Sequence, residues 1–214
     1  KRYGLEILNY IVTSNHIHLL VKDSKGVDSI PRSIQLVAGR TGQEYNQRKG
    51  RQGAFWEDRY HAVAIESGEH LVQCLVYIDM NLVRAGVVHH PSEWEFSGFN
   101  EIQRPRRKCV LISYDTLMKL TGHMDYESFR ESHRKWINAE VEKTDCRRKA
   151  HWTESIAVGS KEFVQKVKDR LTPRAMGRKI RSLEGGMELR ETVGPYNAVF
   201  GSQKSDIGFK YHPY

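Results

Sequence analysis

The sequence predicts an α+β fold, and two observations carry that prediction. Residues 5–13 and 16–22 are β-branched and apolar and are separated only by Ser14 and Asn15, the pattern of an antiparallel hairpin. Farther along, long stretches carry apolar residues three and four apart, the period of a helix buried on one face.

The elements follow in order. Asp23 to Gly26 breaks the second strand. A helix is predicted over 29–48, where Pro31 suits the first turn and Ile30, Ile34, Val37, Thr41 and Tyr45 recur at helical spacing. Lys49 to Gly53 is a basic, glycine-containing loop, and residues 59–66 read as another strand. Ser67 is placed to cap a helix that runs to Arg84 and stops at Gly86, with Leu71, Leu75, Ile78 and Leu82 on its apolar face. Residues 89–99 form a loop rich in His, Pro and Trp, and Arg104 to Lys108 is a short basic linker. Beyond it, helices are predicted over 114–121, 126–143 and 160–171, then a basic stretch at 173–181 and a weakly structured last 30 residues. Two domains are expected: 1–103, and a basic, mainly helical extension over 104–214.

Composition narrows the function classes. A chain of 214 residues with 39% hydrophobic content builds a substantial core, and no apolar run approaches a membrane span. Cys74, Cys109 and Cys146 are odd in number and far apart, which argues against a disulfide framework and for a cytoplasmic location. Their spacing also speaks against a structural zinc site. The net charge of +8 makes a polyanion the natural partner, and affinity for one should fall steeply with salt.

Two constellations carry chemistry. In His16-Ile17-His18, strand alternation puts both imidazoles on one face and points Ile17 at the core. Two neutral imidazoles side by side make a bidentate start for a divalent metal, although such a pair alone is weak evidence. In the second, Tyr77 and Asn81 stand four apart on one helix face, within a polar line of Gln73, Tyr77, Asn81 and Arg84. By itself that line also fits a solvated helix flank. Together the two suggest phosphodiester cleavage: a metal on His16 and His18 neutralises charge on the phosphate, Asn81 adds a carbonyl ligand, and Tyr77 attacks. A phenol with its ordinary pKa of roughly 10 needs a base or a nearby cation, for which Arg84 and the metal are the candidates.

Residues 4–100 resemble the REP-associated tyrosine transposases, relatives of the single-tyrosine transposases of small insertion sequences. The resemblance rests on Asn15-His16-Ile17-His18-Leu19-Leu20-Val21, on Phe55-Trp56-Glu57-Asp58-Arg59-Tyr60, on Tyr77-Ile78-Asp79-Met80-Asn81-Leu82-Val83-Arg84-Ala85-Gly86, and on Trp94 and Ser97. It implies a ferredoxin-like antiparallel sheet with helices on one face. It also implies Mg²⁺ or Mn²⁺ on His16 and His18 with Asn81 assisting, and a 5′-phosphotyrosine on Tyr77. Thr13-Ser14 stands where the family has Met-Pro, and Leu82 where it often has proline; neither change removes a catalytic group.

The family also carries a strand and helix upstream of Tyr3. Without them, a lane between residues 16–22 and 59–66 is expected to stay unfilled, lowering solubility through exposed strand edges.

The implied activity is that of an endonuclease or transposase acting on single-stranded DNA near hairpins such as REP-like palindromes. Arg48, Lys49, Arg51 and Arg59 are the candidate phosphate contacts, and Trp56, Tyr60 and Trp94 the candidate stacking residues. The alternative is a non-cleaving relative that only binds structured DNA or RNA. The oligomeric state is not fixed by the sequence, with a monomer favoured.

Overall fold

The computed structural model describes residues 2–26, 28–143, 147–171 and 177–191. The class is α+β, as expected, but the strands divide between two sheets. β1 (Leu5–Val12) and β2 (Ile17–Asp23) form the antiparallel hairpin, with Val12 opposite Ile17 and Leu5 opposite Asp23. The register shifts between Ile7 and Asn9, a bulge that leaves Leu8 without a ladder partner. The bulge lets Leu8, Asn9, Tyr10 and Ile11 all become buried, which strict alternation would forbid. Short bridges close the far edge of β1, from Ile7 to Ile112 and from Ile11 to Ser97.

Ile17 does not point into the core: it is 38% exposed, as are Val12 and Leu19. The ladder explains this. His18 pairs with Ile11 and Leu20 with Asn9, on the face that packs against the helix at 69–79, whereas Ile17 and Leu19 share the opposite face.

α1 (Ser29–Lys49) ends at Gly50, whose φ of 58° is the left-handed conformation that a glycine cap supplies. Its expected apolar stripe is not a core face, since Val37 is 57% exposed. The loop after it folds back on the helix instead: Phe55 packs on Tyr45 at 4.7 Å, and the Trp56 indole N–H donates to the Ala38 carbonyl at 3.0 Å.

The strand expected over 59–66 shrinks to β3 (Ala64–Ile65), which lies parallel to β4 (Ala157–Gly159) rather than beside the hairpin. No backbone pairing joins β2 to β3 among the described residues. β4 continues into β6 (Gly186–Glu191) and β5 (Arg178–Leu183), in the order β3-β4-β6-β5. The C-terminal half is therefore less purely helical than expected, and residues 186–191, expected to be weakly structured, form a strand. Cys146 and residues 192–214 lie outside the described residues.

The helix expected from Ser67 to Arg84 is two pieces, α2 (Glu69–Asp79) and α3 (Asn81–Arg84), joined at Met80 with φ −77° and ψ 3°. Ser67 does not cap it; Gly68 occupies that position, with φ 82° and no side-chain hydrogen bond. Then come α4 (Gly98–Gln103), α5 (Tyr114–Thr121), α6 (Tyr126–Val141), α7 (His151–Glu154) and α8 (Lys161–Arg170). One core joins Leu8, Ile11 and Leu20 of the hairpin to Leu71, Leu75 and Ile78 of α2 and to Leu117 and Phe129 of α5 and α6. Packing thus runs across the basic linker at 104–108. No helix among the described residues is long and apolar enough to cross a membrane.

Candidate active site

The hairpin turn sets His16. Thr13 Oγ1 accepts from the His16 backbone N–H at 3.1 Å and donates to the His16 carbonyl at 2.9 Å, which fixes the backbone where the ring emerges. The ring Nδ1 lies 2.7 Å from Asn15 Oδ1 and 3.0 Å from Thr13 Oγ1, which turns Nε2 away from the hairpin turn. That Nε2 lies 3.3 Å from Asn81 Oδ1, across 65 positions of sequence. The second imidazole, His18, stands beside the first, with ring centroids 4.9 Å apart and planes at 73°. Burial pushes the His18 imidazole down to about 4, with His16, Arg84 and Arg148 adding positive potential. At neutral pH His18 is therefore an uncharged ring with a lone pair to give.

The tyrosine lies on α2. Tyr77 is 7% exposed, and the Arg84 guanidinium lies 3.9 Å from the centre of its ring. This is a close cation–π contact that holds positive charge against the phenol. On another side Trp152 of α7 approaches it, with centroids 6.2 Å apart. The junction of α2 and α3 at Met80 is held from below. Asp79, fully buried, accepts from His133 Nε2 at 2.7 Å and from Asn9 Nδ2 at 3.0 Å. Gln103 Nε2 reaches His133 Nδ1 at 2.9 Å, so β1, α2, α4 and α6 all tie into one buried polar knot directly beside the tyrosine helix.

The structure brings His16 against His18 and Asn81, and Arg84 against Tyr77; Asn81 follows Tyr77 by four positions across the α2–α3 junction, and His16, His18 and Asn81 do not line the cleft beside Tyr77. Gln73 is exposed and hydrogen-bonds to Glu69 one turn away. The candidate phosphate contacts lie elsewhere. Arg48 and Lys49 are exposed in the last turn of α1, Arg51 follows with its guanidinium 5.8 Å over Tyr45, and Arg59 is exposed in the loop. None of the four lines the cleft beside Tyr77. Among the stacking candidates, Trp56 and Trp94 spend their indole N–H groups on backbone carbonyls, and only Tyr60, 48% exposed, is open.

Two sets of residues escape the sequence analysis. His133 and Asp79 carry no motif signal, because a buried pair 54 positions apart leaves no local pattern. The run Arg147-Arg148-Lys149-Ala150-His151-Trp152 does leave one, cations interleaved with aromatics, and it lines the tyrosine cleft.

The donor set fits a divalent cation. His16 Nε2 and the Asn81 amide oxygen, both groups that can ligate a cation, face each other at 3.3 Å. Bonds of 2.0–2.1 Å at right angles set neighbouring ligands about 3 Å apart. His18, its ring centroid 4.9 Å from that of His16, would bring a second nitrogen to a set of the kind that Mn²⁺ takes and Mg²⁺ accepts.

Residues 1–81 match the family model described as "Transposase IS200 like", a span that includes His16, His18, Tyr77 and Asn81. No curated protein and no solved structure matches the chain. Over residues 1–81 the chain is therefore similar to the IS200-like transposases.

Proposed function

We propose that this protein is a metal-dependent single-stranded DNA endonuclease and transposase of the REP-associated kind, working in the cytoplasm near hairpin structures. One observation carries the reading: His16 Nε2 meets the Asn81 amide oxygen at 3.3 Å, one helical turn from a tyrosine whose ring lies under Arg84. His16, His18 and Asn81 would hold Mg²⁺ or Mn²⁺. The ion, when bound, supplies Lewis-acid charge at the scissile phosphate.

The chain's own groups do the rest. Tyr77 Oη attacks the phosphorus, the phenol loses its proton to solvent or a base, and the bond to the 3′ oxygen of the preceding nucleotide breaks. That oxygen leaves as a 3′-hydroxyl after taking up a proton, and the phosphate stays on Tyr77 as a 5′-phosphotyrosine. Arg84 holds a fixed positive charge over the Tyr77 ring, near the charge that changes during attack. Asn15 and Thr13 orient the His16 ring so that its Nε2, and not its Nδ1, faces inward.

The test is incubation of the protein with Mn²⁺ and an end-labelled hairpin oligonucleotide. The wild type should yield a covalent protein–DNA band that survives denaturation. Tyr77→Phe should lose that band and keep its DNA affinity within about threefold, because the ring and its packing remain. A binder that never cuts would give neither band nor nick with the wild type.

A further inference from the structure

We infer that the C-terminal half supplies the pocket that holds a nucleotide of the single strand next to the scissile phosphate. The inference rests on the reading of Tyr77 as nucleophile, and it assigns the ligand of a cleft that the catalytic residues alone do not form.

The cleft encloses about 890 Å³ between two walls. One wall is Val72, Val76, Tyr77 and Arg84 of α2 and α3. The other comes from the C-terminal half, namely Trp136 of α6, the segment Arg147 to Trp152, and the turn at Leu183 to Gly185 that joins β5 to β6. Its size lies within the range of roughly 300–1,000 Å³ typical of small-molecule sites.

Chemistry selects the occupant. Five arginines and lysines line the cleft against two glutamates, so an anion is favoured. Glu140 lies 3.6 Å from Lys149 and Glu154 lies 3.2 Å from Arg148, which props both cations at the rim while their side chains stay more than half exposed. Trp136 and His151 are half-buried, each presenting a ring to the cleft. The rest of the α2 wall is apolar apart from Gln73. Flat rings beside rim cations are the combination that takes a base and its phosphate without reading sequence. A phosphate at Arg148 and Lys149 would lie in the same cleft as Tyr77.

The test uses the full chain and a single-stranded oligonucleotide carrying 5-iodouracil at successive positions, irradiated to crosslink and mapped by mass spectrometry. Crosslinks should fall on the peptides bearing Trp136 or His151 and Trp152. The double variant Arg148→Gln/Lys149→Gln, at exposed rim positions, should keep the wild-type circular dichroism and melting temperature. It should bind the same strand about tenfold more weakly. Crosslinks confined to residues 45–60, or unchanged affinity in the folded double variant, would overturn the inference and leave the Tyr77 reading standing. Crosslinks in the cleft with no metal-dependent nick would uphold the inference and remove the Tyr77 reading. Absence of any binding to single strands overturns it outright.

Discussion

The two ends of the candidate site are built differently. The histidine end is open: His16 is exposed, its ring held by neighbours within three residues, and the hairpin leaves Ile17 and Leu19 each 38% exposed on its other face. The tyrosine end is enclosed: Tyr77 is 7% exposed, under Arg84 and beside Trp152, on a helix locked from beneath by Asp79 and His133. Local hydrogen bonds suffice to aim a metal ligand, which an ion can then draw into place. A nucleophile must be aimed before substrate arrives, and at Tyr77, the proposed nucleophile, the contacts come from distant parts of the chain. The histidine end should therefore respond to substitution through chemistry with little loss of stability, and the tyrosine end through stability as well as chemistry.

The largest effect expected is on the open end. His16→Ala or His18→Ala should lower metal-dependent nicking by at least about a hundredfold, since even partners outside the ligand shell are worth 10–100-fold. The melting temperature of the metal-free protein should change little for His16→Ala. Mn²⁺ binding, followed by calorimetry, should weaken in step with nicking. Nicking that survives in both variants would place the cation elsewhere.

Next comes the lock under the enclosed end. His133→Ala leaves buried Asp79 with one fewer hydrogen-bond donor, and leaving such a group short of a partner costs about 1–3 kcal/mol. Urea unfolding should read that loss as a single transition, because the hairpin, α2, α5 and α6 share one core. Two separated transitions, with only the later one moved, would mean that the halves fold independently.

These two ends were not equally legible in the sequence. His16, His18, Tyr77, Asn81 and Arg84 could be paired in advance because strand and helix periods fix which side chains share a face, and the motifs are local. The period misled where the backbone departs from it. The β1 bulge buries four successive residues, and the ladder turns Ile17 to the outer face. The strand expected over 59–66 was read from β-branched composition alone. Only Ala64 and Ile65 find a partner, and that partner, β4, lies 93 positions away. The Asp79–His133 knot and the Trp152 contact are likewise long-range, and no window on the chain contains both members.

A smaller effect tests the hairpin's own anchorage. Burial, reinforced by Glu101, pushes the Tyr10 phenol up to about 12, and its hydroxyl donates to Glu101 Oε2 at 3.1 Å. A folded pKa above the unfolded value of roughly 10 favours the protonated, folded form. That stability is complete below about pH 10 and is lost as pH rises toward 12, by about 2 kcal/mol. Tyr10→Phe should flatten the alkaline limb of a melting-temperature profile, although Tyr114, also raised by burial, keeps part of it. An unchanged profile would mean that Tyr10 does not anchor the hairpin.

The central claim is that the enclosed tyrosine, not an exposed one, becomes joined to DNA. The most direct measurement is mass spectrometry of the tryptic peptide carrying the nucleotide adduct after reaction with Mn²⁺ and a hairpin substrate. Residues 60–84 form one such peptide and hold both Tyr60, 48% exposed, and Tyr77, 7% exposed. Fragmentation should place the phosphodiester on Tyr77. An adduct on Tyr60, or strand cleavage with no adduct on any tyrosine, would contradict the account.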